Sequence, residues 1–212
     1  MKASFFYRSC NQVLQYFFKL VYKHKVYFAD GHFTCKGGAI LASNHASFYD
    51  PPLVAISWKE PIAFLARRTL FHNFLLRALI TRLNAYPVSS TDLGSLKLAC
   101  SLLEEGKKIL IFPEGTRTKK GDIQHFRNGV TMLAERAQCP IIPIYVHGSF
   151  EAWPYKKRFP KFFGKKTACV FGKPIFLDQF AHMEKRERQQ KITEHLQNEI
   201  MRLREWYLHH KA

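Results

Sequence analysis

The 212 residues suffice for one domain, or one domain with a helical appendage, and a chain that is 47% hydrophobic and 15% aromatic is not intrinsically disordered. Lysine and arginine number 33 against 16 acids, and the resulting +17 calls for an anionic partner: an acidic lipid, a phosphorylated substrate or nucleic acid. No apolar run reaches the roughly 18 residues that span a bilayer, and the N-terminus lacks an apolar core followed by a small-residue cleavage site. The chain is therefore expected at the cytoplasmic face of the cell inner membrane, lying on the surface without crossing it. Five cysteines, at 10, 35, 100, 139 and 169, form no C-x-x-C pair and read as reduced thiols.

Residues 4–24 read as an amphipathic helix. Phe6, Cys10, Val13, Phe17 and Leu20 recur at three and four, with Arg8, Gln12, Gln15, Lys19 and Lys23 opposite. Such a helix suits a membrane interface or a sheet face, and residues 1–25 are set apart from a domain at 26–212 on that ground. Strand patterns follow at 26–29, 39–43, 62–66, 85–88, 109–112, 141–146 and 168–171. Helical patterns lie between them at 51–58, 69–82, 92–105 and 127–137, and 178–207 reads as one long helix or two short ones. Pro87 marks its strand as an edge or an end, Ser89-Ser90-Thr91-Asp92 offers N-caps, and Gly106 closes the helix before it. Residues 150–166 hold no clear element. Strands alternating with helices predict an α/β fold, a single mainly parallel mixed sheet flanked by helices.

The stretch Asn44-His45-Ala46-Ser47-Phe48-Tyr49-Asp50 follows a buried strand and precedes Pro51-Pro52, which can open a helix. His45 and Asp50 thus flank a strand-to-helix turn. Histidine can take a proton from a hydroxyl near neutral pH, and a carboxylate on its other nitrogen fixes the tautomer. A separation of five does not suit one helix face, but across a bent turn the two can meet. The plainer reading is a surface histidine and an aspartate that caps the following helix. A second constellation, Phe112-Pro113-Glu114-Gly115-Thr116-Arg117, ends another strand, where α/β sheets place their sites. Arg117 can grip a phosphate through two parallel hydrogen bonds, and Gly115 permits a close backbone approach. The plainer reading here is an ordinary turn with an exposed arginine.

Taken in order, Asn44-His45-x-x-x-x-Asp50, Phe112–Arg117 and Ile142-Pro143-Ile144 resemble the glycerolipid acyltransferase family, and within it the bacterial 1-acylglycerol-3-phosphate acyltransferases, over about residues 38–175. The resemblance implies transfer of a fatty acyl group from acyl-CoA or acyl-carrier protein to the hydroxyl of lysophosphatidic acid, giving phosphatidic acid. It implies no metal and no bound cofactor beyond the thioester co-substrate. It makes His45 the general base and Asp50 its orienting group. Arg117 would hold the acceptor phosphate in a loop shaped by Glu114, Gly115 and Thr116, with Arg67 or Arg68 as a second phosphate contact and Pro143 in the wall of the site. The sequence departs from the pattern at Ser89-Ser90, where relatives often carry arginine.

The absence of a G-x-S-x-G elbow agrees with direct attack by the substrate's own alcohol. Between 153 and 166, Trp153, Tyr155, Phe159, Phe162 and Phe163 interleave with six lysines and arginines, which suits an anionic lipid surface. A solvated basic loop with its aromatics on the core, or single-stranded RNA binding, fits the same composition. The expected partners are lysophosphatidic acid, a thioester carrier and an anionic membrane surface, with no nucleic acid. Acyl transfer to another glycerolipid, a metal-dependent hydrolase built on His45 and Asp50, and a basic lipid- or RNA-binding module are the competing readings. The stripe Ile192, Leu196, Ile200, Leu203, Tyr207 is expected to pack on the domain.

Overall fold

The computed structural model describes residues 4–89 and 93–211. Seven strands form one sheet: β1 (Lys25–Phe28), β2 (Ala39–Ser43), β3 (Ile62–Arg67), β4 (Ala85–Val88), β5 (Lys108–Ile111), β6 (Ile141–His147) and β7 (Ala168–Phe171). Their order is β1-β7-β6-β2-β5-β3-β4, and every neighbouring pair is parallel except β6 with β7. The mainly parallel sheet expected from the alternation is present, and Pro87 lies on edge strand β4 as anticipated.

Among the described residues seven α-helices flank the sheet: α1 (Phe5–Tyr22), α2 (Asp50–Ser57), α3 (Phe74–Arg82), α4 (Leu93–Glu104), α5 (Gly129–Ala137), α6 (Ser149–Ala152) and α7 (Lys185–His210). Central strand β2 is buried throughout, so it reads as an unbroken apolar run rather than an alternating one. Its residues serve two cores. Ile40 and Ala42 face Leu102, Leu133, Leu196 and Ile200 from α4, α5 and α7. Ala39 and Leu41 face Phe18, Tyr22, Leu53 and Ile56 from α1 and α2. The C-terminal stripe packs as expected: Ile192, Leu196, Ile200 and Leu203 are fully buried and Tyr207 nearly so.

Three local expectations change. The single helix expected over 69–82 is a 3-10 turn (Arg68–Phe71) followed by α3, because Asn73 caps the latter, its side-chain oxygen accepting from Leu76 N–H at 3.0 Å. The C-terminal region has a 3-10 turn (Leu177–Phe180) before one long helix. The apolar face of α1 is the third. Its buried residues are Tyr7, Phe18, Val21 and Tyr22, while Phe6, Val13 and Leu20 of the expected stripe are exposed. The helix is apolar on two sides, and the side rich in aromatic surface docks. The N-cap expected at Ser90-Thr91-Asp92 lies outside the described residues. Gly106 follows α4 with φ +80°, the left-handed conformation that ends a helix at little cost to glycine.

His24 links α1 to the rest of the molecule. Its Nδ1 lies 3.0 Å from the Thr167 hydroxyl and its Nε2 2.9 Å from that of Ser57. Ser57 Oγ donates to Leu53 O at 2.7 Å, so it accepts from His24 Nε2–H and the neutral ring fits. Burial, partly offset by a bond to Thr167, lowers the pKa from 6.5 to about 4. The unfolded chain therefore takes this proton first as pH falls. The contribution is fully present above pH 6.5 and is lost toward pH 4, at about 1.4 kcal/mol per unit. Urea unfolding of the wild type between pH 7 and 4 should lose stability more steeply than that of His24→Gln. Parallel profiles would place the titrating group elsewhere.

Candidate active site

The carboxyl ends of β3, β5, β2 and β6 lie side by side, and each carries a piece of the site. β2 runs into His45, β5 into Glu114 and Arg117, and β3 ends on Arg67. The turn after β2 is pinned first by Asn44, whose amide donates to Val146 O at 3.1 Å and accepts from Val146 N–H at 2.7 Å. It thereby supplies β6 with the pairing that the backbone would give if β2 continued.

Asp50, the first residue of α2, is fully buried and closes the turn. Its Oδ2 accepts from Ala46 N–H at 2.6 Å and Ser47 N–H at 2.8 Å, and lies 2.8 Å from His45 Nδ1. An ionised carboxylate only accepts, so Nδ1 carries the proton and Nε2 keeps its lone pair. The imidazole stacks on Phe112, with centroids 3.8 Å apart and planes 13° apart, which fixes the ring from its flat side. His45 retains 18% side-chain exposure while Asp50 has none. The imidazole is thus accessible from solvent while the carboxylate behind it is not. Asp50 does not cap the following helix: the N-cap is Tyr49, without a side-chain bond, and Asp50 Oδ2 bonds the turn before it and the histidine.

Glu114 is buried and acts on the backbone. Its Oε1 accepts from His45 N–H at 2.8 Å, and its Oε2 accepts from Gln124 N–H at 3.2 Å and from the Gln124 side-chain amide at 3.0 Å. Burial raises its pKa, opposed by these bonds and by His45. Thr118 N–H in turn donates to His45 O at 2.9 Å, so the two loops clasp each other. Gly115 has φ +73°, and a Cβ there would stand 3.2 Å from Arg127 Nε. Glycine leaves room for that second guanidinium over the loop. Thr116 is exposed, and its carbonyl accepts from the Gln124 side chain.

Arg117 extends along the mouth. Its guanidinium carbon lies 3.5 Å from the Phe48 ring centroid and 4.7 Å from that of Tyr155. Its Nη1 is buried with no acceptor. Desolvation lowers its pKa, Tyr155 and Asp50 act to raise it, and the charge of Arg67 lowers it further. Two guanidinium groups that repel each other can both donate to one anion. Arg67 and its neighbour Arg68 are both exposed, with Arg68 in the 3-10 turn after β3. Pro143 is elsewhere: it pairs with Ala42 inside the sheet, and its ring abuts Gly172. The missing N–H of Pro143 falls just past the end of β7, where Gly172 N–H still donates to Pro143 O at 3.0 Å. Among the described residues no three His, Cys, Asp or Glu side chains converge as metal ligands.

A sequence profile of the Acyltransferase family matches residues 20–147, which include both the His45 turn and the Arg117 loop. The chain belongs to that family. It is similar to the 1-acyl-sn-glycerol-3-phosphate acyltransferase of Bacillus subtilis, with 28% identity over 200 residues, covering 93% of this chain and 96% of that one. It is 41% identical over 136 residues to the human 1-acyl-sn-glycerol-3-phosphate acyltransferase beta, which covers 62% of this chain and 48% of the human one. The crystal structure of the 1-acyl-sn-glycerophosphate acyltransferase PlsC from Thermotoga maritima superposes with a TM-score of 0.70 at 20% identity, covering 94% of this chain and 78% of that one. The fold of this acyltransferase is therefore shared with that structure.

Sequence reasoning left three contributors without a role. Asn44 stood in the motif but had no assigned partner, Gln124 lies in an irregular loop with no periodic pattern, and Arg127, expected to open the helix over 127–137, falls before α5. Glu114→Gln would turn an N–H₂ group toward backbone donors. It should lower unfolding free energy by about 1–3 kcal/mol in urea titration. An unchanged midpoint would mean that the clasp does not depend on the carboxylate.

Proposed function

We propose that the protein transfers a fatty acyl group from a thioester carrier, acyl-CoA or acyl-carrier protein, to the free hydroxyl of 1-acylglycerol 3-phosphate, giving phosphatidic acid. The observation that carries this reading is the shared mouth. A histidine held by a buried carboxylate opens onto the same sheet edge as Arg117 and Arg67. The names of the relatives point the same way.

In this mechanism the acceptor phosphate sits at Arg117 with Arg67 beside it. His45 Nε2 takes the proton from the acceptor hydroxyl as the oxygen forms its bond to the thioester carbonyl carbon. Asp50 stabilises the imidazolium that results. Collapse of the tetrahedral intermediate breaks the carbon–sulfur bond, and the thiolate leaves and recovers the proton. No acyl-enzyme is needed. General-base assistance contributes about 10²–10⁴-fold, and the remainder comes from holding two substrates together.

The purified protein should convert a labelled acyl thioester and lysophosphatidic acid to phosphatidic acid, in preference to acceptors without phosphate. His45→Ala should lower kcat by about 10²–10⁴-fold. Arg117→Ala should raise the acceptor KM about ten- to hundredfold and leave the thioester KM near wild type. Full activity in His45→Ala would remove the base assignment, and a defect confined to the thioester would reverse the two substrate positions.

The same reading places the enzyme on an anionic membrane surface. Phe159, Phe162 and Phe163 are 70%, 55% and 65% exposed among exposed lysines and arginines, so they are not folded back on the core. Phe5, Val13, Tyr16 and Leu20 on α1 and Phe74 and Leu75 on α3 are exposed too. α1 joins these surfaces. Its Phe6 lies under the Arg82 guanidinium of α3, and its Tyr22 hydroxyl bonds Tyr49 beside the aromatic loop. Aromatic rings favour the headgroup layer, and each nearby basic residue adds about 1 kcal/mol toward anionic lipid. No helix among the described residues is long and apolar enough to cross a membrane. Flotation with anionic vesicles should exceed that with neutral ones, fall with salt, and drop in Phe159→Ser/Phe162→Ser/Phe163→Ser. Equal flotation of that variant would move the contact elsewhere.

A further inference from the structure

Arg117 is held between two aromatic faces, and one of them comes from outside both sequence motifs. Phe48 belongs to the turn that carries His45. Tyr155 belongs to the irregular segment after α6. We propose that Phe48 and Tyr155 form a clamp that presets the Arg117 guanidinium for the acceptor phosphate, which makes Tyr155 a positioning residue for acceptor recognition. This rests on the assignment of Arg117 to the phosphate.

A free arginine samples many rotamers, and each bond to phosphate must pay for ordering it. The N–H bonds of a guanidinium lie in its plane, so rings packed over its carbon leave its edge to donate. The edge is where a planar fork meets a phosphate through two parallel bonds. Nη1, buried and without an acceptor, is such an edge donor already withdrawn from water. The rings also offset the repulsion from Arg67, since the face of an aromatic ring attracts a cation.

The position of Tyr155 is fixed by contacts rather than by its own packing. Ser47 Oγ donates to Trp153 O at 2.9 Å, tying the segment to the catalytic turn. The Trp153 ring lies 5.2 Å from Phe48 and 5.1 Å from Tyr49 by centroid. Its indole N–H reaches Lys157 O at 2.9 Å, and Lys157 N–H donates to Pro154 O at 3.0 Å, closing a turn around Tyr155. One jaw of the clamp therefore moves with His45 and the other is anchored to the same turn. The spacing from base to phosphate is built into the clamp.

Steady-state kinetics of the full chain test this, using acyl-CoA and a short-chain 1-acylglycerol 3-phosphate that is monomeric in solution, so that vesicle binding plays no part. Tyr155→Ala should raise the acceptor KM about two- to fivefold with the acyl-CoA KM unchanged, and Tyr155→Phe should stay at the wild-type value. In an Arg117→Ala background, Tyr155→Ala should add nothing further. An unchanged acceptor KM in Tyr155→Ala, a fall in kcat alone, or the same rise with Arg117 absent would each overturn the clamp while leaving the phosphate at Arg117. An Arg117→Ala variant with a wild-type acceptor KM would instead overturn the phosphate assignment and the clamp with it.

Discussion

One oxygen atom, Oδ2 of Asp50, accepts from two backbone amides and from the His45 ring within three ångströms, in a position sealed from water. A carboxylate buried this deeply is tolerated only if its charge is met by donors, and the strand-to-helix turn provides three on one atom. The same bonds decide the geometry of the chemistry. They bend residues 45–50 so that an imidazole five positions away comes back onto the carboxylate. They leave Nδ1 as donor and Nε2 as acceptor, and start α2 at Asp50 with Pro51 and Pro52 in its first turn. The orientation of the His45 ring and the closure of the fold here are one set of hydrogen bonds.

The parallel sheet extends that local order to the whole mouth. Because β6, β2, β5 and β3 are parallel neighbours, the loops that leave their carboxyl ends must emerge on one edge. Asn44 fastens the histidine turn to β6, and Glu114 fastens it to the loop after β5. Neither needs to touch substrate. Their work is to hold His45 and Arg117 at a set spacing, which is what an in-place transfer between two bound substrates requires. The negative charges at this edge are buried and spent on amides and the imidazole, while the guanidinium groups of Arg117 and Arg67 lie at the opening. The +17 of the chain is thus expressed locally as well as in sum.

Much of this was legible in the residue pattern because the determinants are short-range. Apolar runs located all seven strands, and the proline pair after Asp50 located the helix that makes the turn. The motifs after two of these runs placed His45 and Arg117 beyond strand ends and Asp50 across a turn, beside the next helix. The pattern was least informative where tertiary partners choose between local options. α1 carries apolar residues on two sides, so a single-face reading selected the exposed one, and only docking of Phe18 and Tyr22 against α2 and Tyr49 settles the choice. From its motif Glu114 is expected only to shape its own loop. Its partner is instead the amide of a residue 69 positions away, which no spacing rule anticipates. Tyr155 lies in a segment without periodicity, and its place beside Arg117 follows from hydrogen bonds to Ser47 and Lys157.

The central claim is that the buried carboxylate keeps His45 protonated on Nδ1 and leaves Nε2 as the base. Nitrogen-15 NMR of the histidine-labelled protein at neutral pH reads this directly. The account predicts that the His45 Nδ1 resonance falls in the protonated range with its N–H detectable in a hydrogen bond, while Nε2 resonates as an unprotonated nitrogen. In Asp50→Ala the preference should disappear. A wild-type ring with the proton on Nε2, or a tautomer indifferent to the loss of Asp50, would contradict it.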